Sequence, residues 1–236
     1  MKNLMLPLLI FSLLLMGCDQ DDVDEVNDDT DDANNGESHC GFIDFKYYND
    51  TEHSLGEMSE DYILIGVDTI NEDSEIQDFI SNINQFDQSY DYTIHTNEQY
   101  KFKQIVLKFN ASKNCEEITQ TIADLEEHEI VDYAHYTMQT DNCEDLIGES
   151  MGDKCVKTYG SSFNVKVFDE DDLSDLNQMI EETNTELVDQ NEYRPEWFEL
   201  RATKHADGDA LAMANFFHES GLFEHSEPQI GKYPVE

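Results

Sequence analysis

The chain has 236 residues, with 13 Lys and Arg against 54 Asp and Glu, which gives a formal net charge of −41 at pH 7. This charge excludes a conventional nucleic-acid-binding protein, because a phosphate backbone is bound through a basic surface. It also argues against electrostatic docking onto an anionic membrane. Hydrophobic residues make up 39% of the chain, and its 13 Phe and 11 Tyr exclude a fully disordered acidic polymer. The length allows one large or two small domains.

The N-terminus is typical of an export signal. Lys2 precedes an apolar run from Leu4 to Met16, which is followed by Gly17 and Cys18. As a helix this run is about 20 Å long and too short for a hydrocarbon core of about 30 Å. We therefore predict a lipoprotein signal peptide over residues 1–17, not a transmembrane helix. The sequence LMGC at its end resembles the bacterial lipobox, which implies that Cys18 is acylated and anchors the mature chain. The alternative is a buried cysteine in an ordinary signal peptide.

Residues 18–37 are predicted to form an acidic disordered tether, because the segment after Cys18 holds ten acidic residues and no basic one. An acidic run at this place resembles the export signals of surface lipoproteins in some Gram-negative bacteria. Asp19, directly after the cysteine, resembles instead an inner-membrane retention signal. The outer membrane or cell surface is favoured over the periplasmic face of the inner membrane, with both interpretations open.

Apart from Cys18, the chain has four cysteines, namely Cys40, Cys115, Cys143 and Cys155. An even number in an exported chain predicts disulfides, and four cysteines allow three pairings. We favour Cys143 with Cys155, across a short glycine-containing segment, which leaves Cys40 with Cys115. The competing interpretation is a metal site. There is no CxxC pair and the eight histidines are scattered, so no metal and no cofactor are predicted.

Residues 38–138 are predicted to form the first of two modules. Four segments are predicted as strands, of which residues 102–109 alternate with a period of two, and two segments are predicted as helices. After a lead-in, the elements follow the order β-α-β-β-α-β. The predicted strands are Tyr62–Val67, Asp91–Thr96, Phe102–Phe109 and Ile130–Met138; one helix carries Ile76, Phe79, Ile80 and Ile83, and the other begins near Asn114.

The same order returns in residues 161–236, after a polar, disulfide-containing connector over residues 139–160. Pro228 is expected to end the last strand. The predicted fold class is therefore α+β, with two tandem ferredoxin-like β-α-β-β-α-β modules whose antiparallel sheets carry helices on one face. The predicted strands are Phe163–Phe168, Glu186–Glu192, Trp197–Thr203 and Leu222–Glu227, and the predicted helices are Leu173–Ile180 and Asp209–Ser220.

Residues 191–228 of the second module carry a family resemblance. The stretch NEYRPEWFELRATKHADGDALAMANFFHESGLFEHSEP resembles the N-terminal propeptide or inhibitor-like region of secreted subtilisin-like serine proteases from Gram-negative bacteria. The first module matches more loosely. The resemblance implies a fold that lays its open sheet face against a protease and runs its C-terminal tail into the substrate cleft. Because the sequence ends at Glu236 without a catalytic domain, we expect a free-standing propeptide-like protein.

Candidate protein-binding residues lie at the second hairpin and in the tail. If Phe198 and Leu200 face the helices, alternation places Trp197, Glu199 and Arg201 on the other face. Trp and Arg are enriched in interface hot spots. The alternative is a Trp that only packs and arginines that offset local acid. The binding candidates are Arg194, Trp197, Glu199 and Arg201 in the hairpin and Tyr233, Pro234, Val235 and Glu236 in the tail.

Pro234 argues against the tail as a tight inhibitor. If the tail lay in the protease cleft like a cleaved product, Pro234 would be the third residue before the cleavage site, and it has no N–H to donate there.

No GxSxG, HExxH, P-loop or GxGxxG motif is present, so we predict no catalytic residue and a non-enzymatic protein. The expected function is to inhibit, chaperone or retain a subtilisin-like protease, with bilayer contact through acylated Cys18 only. The alternative is a surface interaction or structural lipoprotein that has lost protease binding.

Overall fold

A computed structural model describes residues 40–97 and 101–236 of the chain. These residues belong to one compact unit that spans Glu37–Glu236. The predicted signal peptide, the tether and Cys18 lie outside the described residues. Within the described ranges, no helix is long and apolar enough to cross a bilayer.

The first ordered element is a β-hairpin that the sequence analysis treated only as a lead-in. Its strands are β1 (Phe45–Tyr48) and β2 (Thr51–Ser54), which pair antiparallel. Asn49 and Asp50 have φ angles of 48° and 58°, the left-handed values that a two-residue hairpin turn requires. Short polar side chains tolerate this conformation better than other non-glycine residues do.

The first half of the main fold, residues 58–140, contains four strands and two helices. Asn114 fixes the start of the second helix: its side chain accepts a hydrogen bond from the Glu117 N–H, and the Glu117 carboxylate accepts one from the Asn114 N–H. The elements are β3 (Met58–Asp68), α1 (Asp73–Ser81), β4 (His95–Asn97), β5 (Phe102–Lys108), α2 (Cys115–Glu126) and β6 (Tyr133–Thr140).

The second half, residues 154–235, repeats the same order of elements. Asp209 caps the last helix by accepting from the Ala212 N–H, and Gly221, with φ of +68°, follows the end of that helix. The elements are β7 (Lys154–Lys166), α3 (Ser174–Thr183), β8 (Glu186–Gln190), β9 (Trp197–Arg201), α4 (Ala210–Glu219) and β10 (His225–Val235).

All eight strands of the two halves form one antiparallel sheet in the order β4-β5-β3-β6-β7-β9-β8, with β10 paired to the other side of β7. In each half the first strand lies between the third and the fourth, and the second strand lies beyond the third. The halves are joined by β6 and β7, where Met138, Gln139 and Thr140 pair with Lys157, Val156 and Cys155. The fold is therefore α+β, and its two halves share a continuous sheet.

Both pairs of helices pack on one face of the sheet. Side chains alternate between the two faces along each strand, and the apolar ones point toward the helices. In the first half, Ile63, Ile65, Ile105 and Leu107 pack against Ile76 and Ile118 of α1 and α2. In the second half, Phe163, Val165, Phe198 and Leu200 pack against Leu176 of α3 and Phe217 of α4. The remaining side of the sheet is called the outer face below.

The outer face of the first half is covered by the C-terminus of the chain. We call this packed group the outer cluster; it comprises Tyr62, Leu64, Tyr90, Val106, Tyr133, Val156, Tyr233 and Val235. Gly66 allows the Tyr133 ring to lie across β3, since a Cβ atom there would lie 2.0 Å from that ring. Because Tyr233 and Val235 come from β10, the end of the chain completes the packing of the first half.

Several predicted boundaries are wrong, among them those of β4, β7 and β10. β7 begins at Lys154, inside the predicted connector 139–160, and β4 is only His95–Asn97. β10 also runs through Pro228 to Val235, where the sequence predicted an end. Pro228 is tolerated because β10 pairs with β7 only, so the missing N–H can lie on the unpaired side. The ladder shifts register between Pro228 and Ile230 and then continues.

Two disulfides have the pairing that the sequence favoured. Cys40 is bonded to Cys115, with Cα atoms 5.8 Å apart, and ties the start of the described chain to the first turn of α2. Cys143 is bonded to Cys155, with Cα atoms 5.6 Å apart, and ties the loop before β7 to that strand.

We predict that Tyr233→Ala lowers the free energy of unfolding by about 3 kcal/mol, because it removes a large buried side chain and leaves a cavity. Tyr233 is only 2% exposed. Urea denaturation of the purified protein measures the change. The control is Tyr193→Ala, since Tyr193 is 92% exposed and its removal is expected to change stability by less than about 0.5 kcal/mol. Equal effects of the two substitutions would show that the C-terminal segment is not packed in solution.

Candidate functional site

The protein-binding candidates predicted from the sequence in the β8–β9 hairpin lie together on the outer face of the second half. Along β9, Phe198 and Leu200 are buried in the helix-side core. Trp197, Glu199 and Arg201 alternate with them and are half-buried on the outer face. The predicted alternation of β9 is confirmed. A role in protein binding stays a prediction.

A row of carboxylates crosses this face. Residues directly opposite in antiparallel strands share a face, and Asn164 of β7 lies opposite Glu227 of β10 on one side and Glu199 of β9 on the other. Glu199 in turn lies opposite Asp189 of β8. Three acidic side chains and one amide therefore follow one another across four strands. The Lys46 ammonium, from the hairpin, forms an ion pair of 2.9 Å with Glu227 at the end of this row.

Trp197 lies next to the row and is flanked by two basic side chains. The Arg194 guanidinium carbon is 5.3 Å from the centroid of the indole ring, a cation–π distance. The ring of His225 is 5.4 Å away on an edge-to-face geometry. Arg194 belongs to the turn between β8 and β9, where its N–H donates to the Asn191 carbonyl. Trp197 is thus held at the surface and is not part of the helix-side core.

Glu199 lines a concavity of about 310 Å³, together with Arg194, Trp197, Asp189 and Glu227. Burial raises the pKa of the Glu199 carboxyl above its ordinary value, and the nearby Ser162, Arg201 and Gln229 side chains oppose that rise. Its Oε1 atom is buried and makes no hydrogen bond of normal geometry within the described residues. A partner's hydrogen-bond donor or cation would therefore relieve a cost that this carboxylate bears in the free protein.

The hairpin β1–β2 supports this face from the side of α4. Tyr47 stacks on His218 with ring centroids 4.1 Å apart, and its hydroxyl donates to Glu219 at 3.0 Å. Burial, with Glu219, raises the pKa of Tyr47 to about 12. The Asn215 amide donates to the Phe45 carbonyl at 3.1 Å. These contacts fix the strand that carries Lys46.

The predicted tail residues lie elsewhere than expected. Tyr233, Pro234 and Val235 are buried in β10, and the Tyr233 hydroxyl donates to Gln104. The Glu236 carbonyl accepts from the Tyr62 hydroxyl at 2.9 Å and from Lys154 Nζ at 3.3 Å. The expectation of a free tail is corrected, because the segment completes the outer cluster. Insertion into a protease cleft would require these residues to leave β7.

A buried histidine between the halves was missed from the sequence. His135 of β6 is 1% exposed and lies between the rings of Tyr133 and Tyr159, with centroids 4.7 and 4.5 Å away. Its Nδ1 atom is 2.9 Å from the Tyr159 carbonyl, and the Tyr159 hydroxyl donates to Asp209 at 2.8 Å. Nothing in the sequence distinguishes His135 from the other seven histidines. Among the described residues, no group of three or more His, Cys, Asp or Glu is placed to hold a metal ion.

Comparisons with known proteins find no matching family model and no matching curated protein. Two similar solved structures are the small subunit of acetolactate synthase from Thermotoga maritima and a protein from the Sxl-lethal protein/RNA complex. The first is 12% identical, covers 75% of this chain and 94% of its own, and has a TM-score of 0.26. The second is 11% identical, covers 75% and 99%, and has a TM-score of 0.28. These scores are too low to support an argument about function.

We predict that His135 makes the protein less stable as the pH falls below about 7. Burial lowers the pKa of His135 beneath its ordinary value of about 6.5. In the interval between the two pKa values the unfolded chain binds a proton that the folded chain does not, so acid favours unfolding. His135→Gln should therefore reduce the slope of unfolding free energy against pH by up to about 1.4 kcal/mol per pH unit.

Urea denaturation between pH 7 and 5 measures this slope. The slope of the His135 variant is compared with that of His53→Gln, a matched substitution at an exposed histidine. An unchanged slope in the His135 variant would contradict the buried, neutral state of this imidazole.

Proposed function

We propose that the chain is a lipid-anchored, extracytoplasmic, non-enzymatic protein that binds a subtilisin-like serine protease through the outer face of its second half. The observation that carries this proposal is the clustering of Arg194, Trp197 and Glu199 around one concavity, on a sheet face that no helix among residues 40–97 and 101–236 covers. Aromatic and Arg side chains in such a position are the usual hot spots of protein interfaces. The resemblance of residues 191–228 to protease propeptides supports the choice of partner.

The two halves are inferred to be tandem ferredoxin-like modules of the propeptide type. Each follows the order β-α-β-β-α-β, and each places its first strand between its third and fourth. This arrangement leaves one sheet face free of helices, which is the face that a propeptide lays against its protease. Only the second half keeps that face exposed, since the outer cluster covers the first.

Charge favours a partner with a basic surface. The formal net charge is −41, and three carboxylates cross the proposed docking face in one row. Such a field steers a basic partner toward the face and disfavours an acidic one. Acylated Cys18 and the acidic tether would hold the complex at the outer membrane or the cell surface, where the protein would inhibit, chaperone or retain the protease.

A second candidate function is a surface interaction or structural lipoprotein that has lost protease binding. One observation favours it: Tyr233 and Val235 are each 2% exposed and belong to the outer cluster. A segment held in this way is not available to occupy a substrate cleft, which the inhibitory propeptide mode requires.

Trp197→Ala is predicted to weaken protease binding by about 2 kcal/mol or more, because the indole is the largest side chain of the docking face. The full chain, purified in detergent, would be titrated against an immobilised subtilisin inactivated at its catalytic serine. Phe216→Ala is the control, since Phe216 is 49% exposed on α4, on the helix side of the sheet.

Binding that survives in the Phe216 variant and is lost in the Trp197 variant would support the proposed face. No binding by the unsubstituted chain, together with unchanged activity of the active protease, would favour the second candidate function. Equal losses in both variants would place the contact elsewhere.

Cys18→Ser is predicted to move the protein from the membrane fraction to the soluble fraction, because the thiol that would be acylated is removed. Immunoblots of fractions from cells that express the full chain measure the distribution. Retention of the serine variant in membranes after an alkaline wash would contradict lipid anchoring.

A further inference from the structure

The sheet is interrupted where β10 passes Gln229. Pro228 lies opposite Phe163 and Ile230 opposite Tyr159, so three residues of β7 face a single residue of β10. Such a bulge disrupts the ladder locally and bends the strand. On the outer face it opens a concavity of about 130 Å³, which we call the notch; Gln104, Gly160, Ser162, Gln229 and Gly231 are among the residues that line it.

Two glycines of the lining allow neighbouring side chains to approach the backbone closely. A Cβ atom on Gly160 would lie 3.0 Å from Gln104 Nε2, and one on Gly231 would lie 2.7 Å from Ile147 Cδ1. Because neither residue has a Cβ atom, the Gln104 and Ile147 side chains can pack close against β7 and β10 at the edge of the notch. Gly160 lies in the bulge itself, and Gly231 follows it on the opposite strand.

Ser162 lines the notch with a buried hydroxyl. The residue is 2% exposed, and its Oγ atom lies near the Glu199 carboxyl but has no hydrogen-bond partner of normal geometry within the described residues. A hydroxyl both donates and accepts, and burial without a partner is unfavourable. A ligand with hydroxyl groups would satisfy it.

The Gln104 side chain, which also lines the notch, is held in place by two tyrosine hydroxyls. Its Nε2 donates to the Tyr133 hydroxyl at 2.9 Å, and its Oε1 accepts from the Tyr233 hydroxyl. A primary amide has two N–H groups and two acceptor lone pairs, so one of each remains. Because the two tyrosines fix its orientation, this amide offers a donor and an acceptor at little cost in side-chain entropy.

The lining carries no formal charge among the described residues, in a protein with 54 acidic side chains. Amides and hydroxyls alternate there with the apolar side chains of Phe102, Ile147 and Ile230. An uncharged ring with hydroxyl groups on its edge and C–H groups on its faces matches both parts of this lining. A charged ligand would be desolvated without an opposite charge to pair with.

We propose that the notch binds a single neutral sugar ring, with Ser162 and Gln104 as its hydrogen-bonding residues. This site goes beyond the proposed protease binding and does not depend on it. It adjoins the Trp197 concavity at Gln229, which lines both, and at Ser162, whose side chain lies near Glu199.

The probes are the methyl glycosides of glucose, galactose and mannose, titrated against the full chain in a non-glycosidic detergent. Binding is followed by the NMR shifts of the Gln104 and Gln229 side-chain amides and by calorimetry. At least one glycoside should bind saturably at tens of millimolar or below. Glucuronate, which adds a charge, should bind at least about tenfold more weakly.

Ser162→Ala should weaken binding of the sugar about tenfold, the effect of one lost hydrogen bond. Ser226→Ala is the matched control, because Ser226 is 1% exposed and its Oγ also lacks a partner, but it lies opposite Val165 on the helix side. Gly160→Ala, whose Cβ atom would push against the Gln104 amide 3.0 Å away, should also weaken binding if the Ser162 variant proves misfolded by circular dichroism.

The proposal is overturned if none of the three glycosides binds, if glucuronate binds as well as they do, or if Ser226→Ala weakens binding as much as Ser162→Ala. Tighter binding of N-acetylglutamine methylamide than of any glycoside would also overturn it, and would assign the notch to a peptide side chain. None of these outcomes bears on the protease titration, which uses Trp197.

Discussion

The pairing of β7 is the constraint on which the rest of the structure depends. This strand of 13 residues bonds to β6 through residues 155–157, to β9 through residues 162–166 and to β10 along most of its length. It therefore joins the two halves and also sets which side chains reach the outer face. A slip of one residue would move Phe163 and Val165 out of the core and bring Ser162 and Asn164 into it. The outer face and the helix-side core are specified by the same register.

The same pairing explains why the C-terminus is unlike a free propeptide tail. β10 has room to continue past Pro228 only because β7 begins as early as Lys154 and offers it a partner. The continuation buries Tyr233 and Val235 against the first half, so extraction of the segment would expose both side chains and unpair six residues of strand. Docking that leaves β10 in place costs none of this. Within the proposed function, retention or chaperoning of a protease is therefore more consistent with the fold than occupation of its cleft.

Sequence patterns predicted what depends on neighbours in the chain. The alternation of β9 and the start of α2 near Asn114 both follow from local rules, and both predictions were correct. What failed depends on pairing between distant segments. The polar stretch before β7 does not indicate that Lys154–Tyr159 will pair within a sheet between β6 and β10. Pro228 predicts the end of a strand unless it is known that β10 has one unpaired edge. The burial of His135 and the notch could not be predicted for the same reason, because the residues that surround each of them come from strands far apart in sequence.

Two adjacent concavities on the outer face differ in charge, and therefore in the kind of ligand that each would bind. The one beside Trp197 is dominated by the carboxylates of Asp189, Glu199 and Glu227, whereas the described residues of the notch carry none. Attraction of a basic partner to the carboxylate row is screened by salt over about 8 Å at physiological ionic strength, and hydrogen bonds to a neutral ring in the notch are not. Raising the salt concentration therefore separates the two activities without any substitution. Protein binding should weaken at high salt while sugar binding persists, because only protein binding depends on attraction to the acidic side chains.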